Sequence, residues 1–420
     1  MRTNIFQDVL RKVLRYNGYE IKHVMNITDV GHLVSDGDEG EDKMIKSARE
    51  ENKSPLEIAQ HYTELFFNDL KELNLEIPEV VCKATDHINI MLEYVKELMN
   101  KGYAYETSTA IYFDISKLDK YPVLSNLNLE EQKAGARVEV DKEKKSPYDF
   151  ALWIKAPENH LMKWDSPWGP SYPGWHIECS AMGRKYLGEQ FDIHTGGIDL
   201  IPTHHENEIA QSKGACGKVP ARYWMHGEYL LINGGKMSKS LGNVYLLKDI
   251  IDRGYEALVY KLFSYSCHYR NKLNFTWKGI EAASKSLERL RNGYRLHKEG
   301  KDDVEDSVVS ELEERFHKAI NDDLNMPLAM GVVWETVRFD KKSPKLANLL
   351  LKFDQVLGLH VDKEQENKEG IPEEIMELVE KRKIARENKD WAKSDELRDL
   401  IKEKGYDIKD LKDGVEIKKI

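Results

Sequence analysis

Three groups of residues have types and spacings that could do chemistry. Lys236-Met237-Ser238-Lys239-Ser240 lies between Asn233-Gly234-Gly235 and Leu241-Gly242-Asn243, after the apolar run Tyr229–Ile232. Glycines on both sides let such a loop close over a ligand, and two lysines offer mobile point charges to phosphate oxygens. Phosphoryl or nucleotidyl transfer asks a protein mainly for positioning and charge neutralisation, the roles open to Lys236 and Lys239. A solvated basic hairpin tip is the plainer alternative, and five specified residues in this glycine context argue against it. The second group is Cys179, His204 and Glu208. His204 and Glu208 stand four apart, on one face of a helix, and Cys179 follows the glycine-led turn Gly174-Trp175-His176. A thiolate, an imidazole and a carboxylate are zinc-type donors, and three of them leave a fourth position open. Each also has an ordinary reading, the cysteine as a small buried apolar group and the histidine as a satisfied polar residue beside a core. The His-Glu-x-x-His spacing of zinc proteases is absent, since Asn207, Glu208 and Ile209 follow His205-Glu206. In the third group, Thr195-Gly196-Gly197-Ile198-Asp199 follows the apolar run Phe191–Ile193. Paired glycines permit close backbone approach to a ligand and Asp199 could hold ribose hydroxyls, though a simple strand-to-helix turn explains the run equally well.

The elements around these groups follow from periodicity. Ile5, Phe6, Val9, Leu10, Val13 and Leu14 recur with helical spacing until Asn17-Gly18, and the alternation from Tyr19 to Val24 predicts a strand. Amphipathic helices are expected near Pro55–Leu73 and Asp86–Asn100, and Tyr103–Ile115 reads as a hairpin. A second α/β stretch runs from Phe150 to Asp252, and beyond Tyr255 the pattern is helical nearly throughout. The acidic run Asp36–Asp42 resembles a calcium loop only superficially, because Glu41 and Ser47 occupy the positions that need Gly and Glu. A solvated surface loop is the expectation there.

Composition bounds the class. The chain has 420 residues, is 40% hydrophobic and 32% charged, and carries a formal net charge of -10. These values fit a multi-domain globular protein with ample core, and no apolar run is long enough to span a bilayer. No secretory leader pattern opens the chain, and four cysteines (Cys82, Cys179, Cys216, Cys267) are too few for a disulfide framework, so a cytoplasmic setting is expected. The acidic total hides an asymmetry, for Lys301–Glu380 is strongly acidic whereas Lys381–Ile420 is net basic. Such a tail suits contact with a phosphate backbone, and equally a solvated helix face.

Taken together, Pro173-Gly174-Trp175-His176-Ile177-Glu178-Cys179-Ser180-Ala181-Met182, Gly196-Gly197-Ile198-Asp199-Leu200, His204-His205-Glu206-Asn207-Glu208-Ile209-Ala210-Gln211-Ser212 and the Lys236–Ser240 loop closely resemble the cysteinyl-tRNA synthetase family, which belongs to the class I aminoacyl-tRNA synthetases. Asn26-Ile27-Thr28-Asp29-Val30, Phe150-Ala151-Leu152-Trp153 and the tail around Arg382–Lys404 extend the resemblance along nearly the whole chain. It implies an α/β fold with a parallel Rossmann (HUP-type) sheet, an insertion, and all-α tRNA-binding domains at the C-terminus. The implied layout is a first catalytic half over 1–85, a connective insertion over 86–149 and a second catalytic half over 150–255. A helical stem-contact region over 256–370 and an anticodon-binding domain over 371–420 complete it. It further implies one zinc ion on Cys179, His204 and Glu208, with Trp175 and Cys179 at the substrate cysteine. Lys239, Asp199 and Gly197 would lie at ATP with its magnesium, and Lys236 and Lys239 would act in catalysis. The implied partners are L-cysteine, ATP and tRNA(Cys), with no membrane, and a monomer is expected.

Three departures qualify that resemblance. The family opens with a strand carrying a fourth cysteine ligand and a His-Ile-Gly-His-type signature. Here Met1-Arg2-Thr3-Asn4 matches the residues just after it, so the chain is expected to be N-terminally truncated and slow to form an adenylate. Pro202-Thr203 replaces the usual Phe-Pro, and Gly31–Glu41 is an insertion. Two other readings are a non-catalytic tRNA-binding paralogue and a cysteine ligase of small-thiol biosynthesis. The intact zinc-type donors and Lys-Met-Ser-Lys-Ser oppose the first, and the basic tail opposes the second.

Overall fold

The computed structural model describes residues 1–30, 53–125, 141–158, 160–238, 241–364, 372–387, 390–411 and 414–419. The acidic loop of the insertion at Gly31–Glu41, its calcium-like run, and Lys239 with Ser240 lie outside the described residues. The chain divides into two compact units, Met1–Val361 and Asp362–Ile420.

The first unit opens with α1 (Arg2–Tyr16), whose Ile5, Phe6, Val9 and Val13 are buried, as the periodicity requires. The strand that follows begins later than its alternation suggests. β1 is Val24–Ile27, parallel to β2 (Val80–Lys83), with Val24 opposite Val80. Its ladder starts only where β2 starts. Before it, Lys22 Nζ donates to the Tyr186 carbonyl and the His23 amide to the Glu79 carboxylate, while Tyr19 stays exposed. Between these strands runs α2 (Pro55–Glu72), closed at its start by a Ser54–Glu57 capping box. After β2 comes α3 (Ile88–Asn100).

An antiparallel sheet follows, in the order β3 (Ala104–Glu106), β4 (Ala110–Phe113), β5 (Phe150–Lys155) and β6 (Ser171–Pro173). Then α4 (Trp175–Leu187) leads to β7 (Phe191–Gly197), and α5 (Glu206–Cys216) leads to β8 (Ala221–Gly227). β7 and β8 are parallel, Gly197 opposite Gly227, which is the strand–helix–strand unit of an α/β fold. Among the described residues the β1–β2 and β7–β8 pairs are separate two-stranded sheets. At Gly227 a Cβ would stand 2.9 Å from the Phe6 ring, so a glycine lets α1 pack onto β8. A third sheet joins β9 (Leu230–Ile232), β10 (Gly235–Lys236) and β11 (Leu273–Phe275).

Helices follow: α6 (Leu247–Asp252), α7 (Leu258–Ser264), α8 (Trp277–Glu299), α9 (Asp306–Asn321), α10 (Met326–Arg338) and α11 (Pro344–Leu357). They share one apolar core with α1. A buried polar joint fixes that contact. Asp8 Oδ2 accepts from Lys12 Nζ at 2.7 Å and Lys261 Nζ at 3.3 Å, and Lys261 also donates to the Asn74 carbonyl at 2.8 Å. Burial pushes the Lys261 ammonium down to about 7, although Asp8 opposes the shift.

The second unit packs α12 (Glu373–Glu387) and α13 (Trp391–Glu403) with a hairpin of β12 (Tyr406–Leu411) and β13 (Gly414–Lys419). That hairpin adds strands to a region that the resemblance implies to be all-α. Among the described residues no helix is long and apolar enough to cross a membrane.

Candidate active site

The zinc-type donors come together. Gly174 caps α4 in an extended conformation, and a Cβ there would stand 2.3 Å from the Ala151 carbonyl oxygen, so only glycine lets the chain turn so tightly against β5. Cys179 lies one turn into that helix. Ile201–His205 is a single π-helical turn running straight into α5, and it places His204 at the junction with Glu208 one turn further on. The ligand atoms of Cys179, His204 and Glu208 all lie within 4.8 Å of one another. His204 and Glu208 are buried and Cys179 is half-buried.

Second contacts hold these ligands, and sequence reasoning assigned them no role. His194 Nε2 meets Glu208 Oε2 at 2.7 Å, and His176 Nδ1 meets His204 Nδ1 at 3.0 Å. His205 Nδ1 meets His226 Nε2 at 2.8 Å, and the His205 ring would lie 2.7 Å from a Cβ on Gly196. The paired glycines of β7 therefore make room for a histidine of the cluster as well as for any ligand. His194, His205 and Glu208 form a second group of donor atoms within 4.8 Å of one another, sharing the carboxylate. Trp175 lies against His204, ring centres 4.3 Å apart.

The electrostatics select one anion. Burial pushes the Glu208 carboxyl up, but His194 and His204 more than offset it and hold it well below the usual carboxylate range. Glu178, fully buried on α4, is pushed well above that range by burial, so it stays neutral. Burial, with Glu208 adding to it, also drives the Cys179 thiol well up. His205 is pushed down to about 2 and His226 to about 4, both mainly by burial. Glu208 Oε1 is buried and accepts no hydrogen bond, its 3.1 Å approach to His204 Nε2 being poorly aimed. An ionised, under-coordinated carboxylate oxygen beside a thiol and imidazole nitrogens fits a divalent cation, which would also reverse the pressure on the thiol.

The cluster adjoins a cleft of about 430 Å³, because β7 carries His194 toward one and Gly197 toward the other. Gly197, Asp199, Glu228, Tyr229, Met237 and Phe275 are among the residues lining it. Asp199 sits exposed in the 3-10 turn Ile198–Leu200. Arg2 braces this region, its guanidinium donating to the main-chain carbonyls of Glu228 and Tyr229 at 2.5 and 2.6 Å and also to those of His268 and Asn271.

The lysine loop is entered through a turn. Asn233 and Gly234, at φ 48° and 81°, make a tight hairpin turn between β9 and β10. Lys236, at the end of β10, is exposed and does not line the cleft, whereas Met237 does. Asn243 clasps the loop, accepting from the Ser238 amide at 2.8 Å and donating to the Lys236 carbonyl at 2.9 Å. Asn274 accepts from the Gly234 amide at 2.7 Å. No sequence spacing pointed to either clasp.

Residues 1–285 match the family of class I (C) tRNA synthetase catalytic domains, and residues 368–417 match the cysteinyl-tRNA ligase anticodon-binding domain. The cysteine–tRNA ligase of Treponema denticola is 45% identical over 442 residues, covering 98% of this chain and 90% of that one. A cysteine–tRNA ligase of Thermus thermophilus is 41% identical over 98% of this chain and 90% of its own length. This chain belongs to the cysteinyl-tRNA synthetase family. Among solved structures, methionyl-tRNA synthetase of Mycobacterium tuberculosis with methionyl-adenylate aligns at a TM-score of 0.55 and 14% identity, over 85% of this chain and 86% of that one. That likeness gives the fold, the α/β class I synthetase architecture. The family is one of ATP-using ligases, and the anticodon-domain match at 368–417 lies within the second compact unit.

Proposed function

We propose that this protein activates L-cysteine with ATP and passes the cysteinyl group to tRNA(Cys), using a zinc ion held by Cys179, His204 and Glu208 to choose the amino acid. The observation that carries this is the convergence of those three donors beside Trp175, next to the Gly197–Asp199 cleft. A zinc ion there would offer an open position to a thiol that serine's hydroxyl fills poorly, a discrimination packing alone cannot reach for one atom. The protein's own residues do the rest. His194 and His176 orient the ligands. Trp175 walls the side-chain pocket, and Asp199 and the Gly197 backbone receive the nucleoside. Lys236 and Lys239 neutralise charge at the phosphates, with magnesium, as the cysteine carboxylate attacks the α-phosphate and pyrophosphate leaves.

The domain roles follow. Residues 1–85 and 150–255 would form the catalytic halves around the insertion at 86–149. Residues 256–370 would contact the tRNA stem and 371–420 its anticodon end. The anticodon-binding match favours a tRNA acceptor over the amino sugar of a small-thiol ligase. We read the enzyme as a cytoplasmic monomer. The test is cysteine-dependent pyrophosphate exchange and tRNA(Cys) charging, with zinc present and after chelation. Exchange that needs both zinc and cysteine supports the proposal; exchange indifferent to zinc, or equally fast with serine, refutes it.

A further inference from the structure

Glu206 is completely buried between the two helical metal-ligand candidates, yet neither the zinc reading nor the nucleotide reading uses it. A carboxylate that deep needs donors, and it finds them outside its own helix. The Val123 amide donates to Oε2 at 2.7 Å and the Leu124 amide to Oε1 at 2.5 Å. The Ser125 amide donates to Oε1 as well. Next along, Asn207 Oδ1 accepts from the Tyr121 hydroxyl at 2.7 Å. One short segment leading out of the β3–β4 hairpin, residues 121–125, is thereby fastened to the first turn of α5.

The chain position of Glu206 gives this weight. It is two residues after His204 and two before Glu208, so on a helix its side chain leaves by the face opposite both. The helix start is thus pinned on one face by the insertion and on the other by the ligand cluster. It is also where the π turn gives way to α hydrogen bonding. Metal sites tolerate ligand displacements of only about 0.2 Å.

We propose that Glu206, helped by Asn207, is a positioning residue that couples the insertion to the amino-acid site: docking of residues 121–125 sets how tightly His204 and Glu208 grip the cation. The proposal rests on the zinc reading above and adds a coupled segment to it. Glu206→Gln keeps the shape but replaces one carboxylate oxygen with an NH2 group facing a donating amide, so at least one of the three amide bonds is lost and the fastening is weakened.

The test is zinc affinity of the full chain by competition with a chromogenic chelator, alongside the Michaelis constant and turnover for cysteine in pyrophosphate exchange. For Glu206→Gln the expected result is zinc affinity about 10–100-fold weaker, with the Michaelis constant for cysteine recovering as zinc is raised. Tyr121→Phe removes a single hydroxyl and should weaken zinc a few-fold, and it decides the matter if the first variant does not fold. Parent-like zinc affinity in a folded Glu206→Gln, or in Tyr121→Phe should the other fail to fold, would overturn the coupling. A parent protein that binds no zinc would overturn the metal reading instead.

Discussion

The cluster of zinc-type donors and the lysine loop are held in opposite ways. His204, Glu208, His176 and His205 are buried, each fixed by a partner on another element. Lys236 is exposed, Leu241 is 67% exposed, and two asparagine amides hold the loop that carries them. The difference matches the two tasks. Telling sulfur from oxygen needs ligands that do not move, since a loose site would let a hydroxyl adapt. Neutralising phosphates that arrive and leave needs charges that can follow them. On the proposed function, rigidity sits where the choice is made.

The comparison can be broken by substitutions that separate the two. The largest effect is expected at the ligands. Cys179→Ala or His204→Ala should weaken zinc by about 1,000-fold and abolish the preference for cysteine over serine, measured by metal content and exchange rates. Next, Lys236→Ala and Lys239→Ala should lower turnover by about 100–1,000-fold while zinc content stays as in the parent. A lysine variant that lost zinc would show that the regions are not separable.

A pH measurement sharpens the same contrast. Folded His226 takes a proton only near 4, mainly because of burial, against an ordinary 6.5. Between those values the unfolded chain holds more protons than the folded one, so this group's stability is present above 6.5 and is lost as pH falls toward 4. Zinc-free protein should therefore melt at lower temperature as pH drops through that window, and His226→Asn should flatten the slope. The smallest effect is expected for Asn243→Ala, which removes two hydrogen bonds from the loop. It should reduce turnover by about 10-fold with zinc affinity unchanged.

Much of this was legible in the sequence because it is local. The four-residue spacing of His204 and Glu208 survives the π turn, and the apolar period of α1 predicts its buried face. What was not legible depends on partners far along the chain. The contact of His194 with Glu208, of His176 with His204 and of Glu206 with Val123 each joins separate elements. The late start of β1 has the same cause, for a strand begins where its neighbour does, and Val80 lies far downstream. Asn233-Gly234, read in the sequence only as glycine-rich, forms a tight hairpin turn once β10 pairs with β9.

In the function proposed above, the metal makes the choice of amino acid. The most direct test is calorimetric titration of L-cysteine and L-serine into metal-free protein and into protein loaded with zinc. We expect one zinc per chain, lost in Cys179→Ala, and cysteine binding that appears only with zinc while serine stays weak in both states. Cysteine binding of equal strength with and without the metal would contradict it.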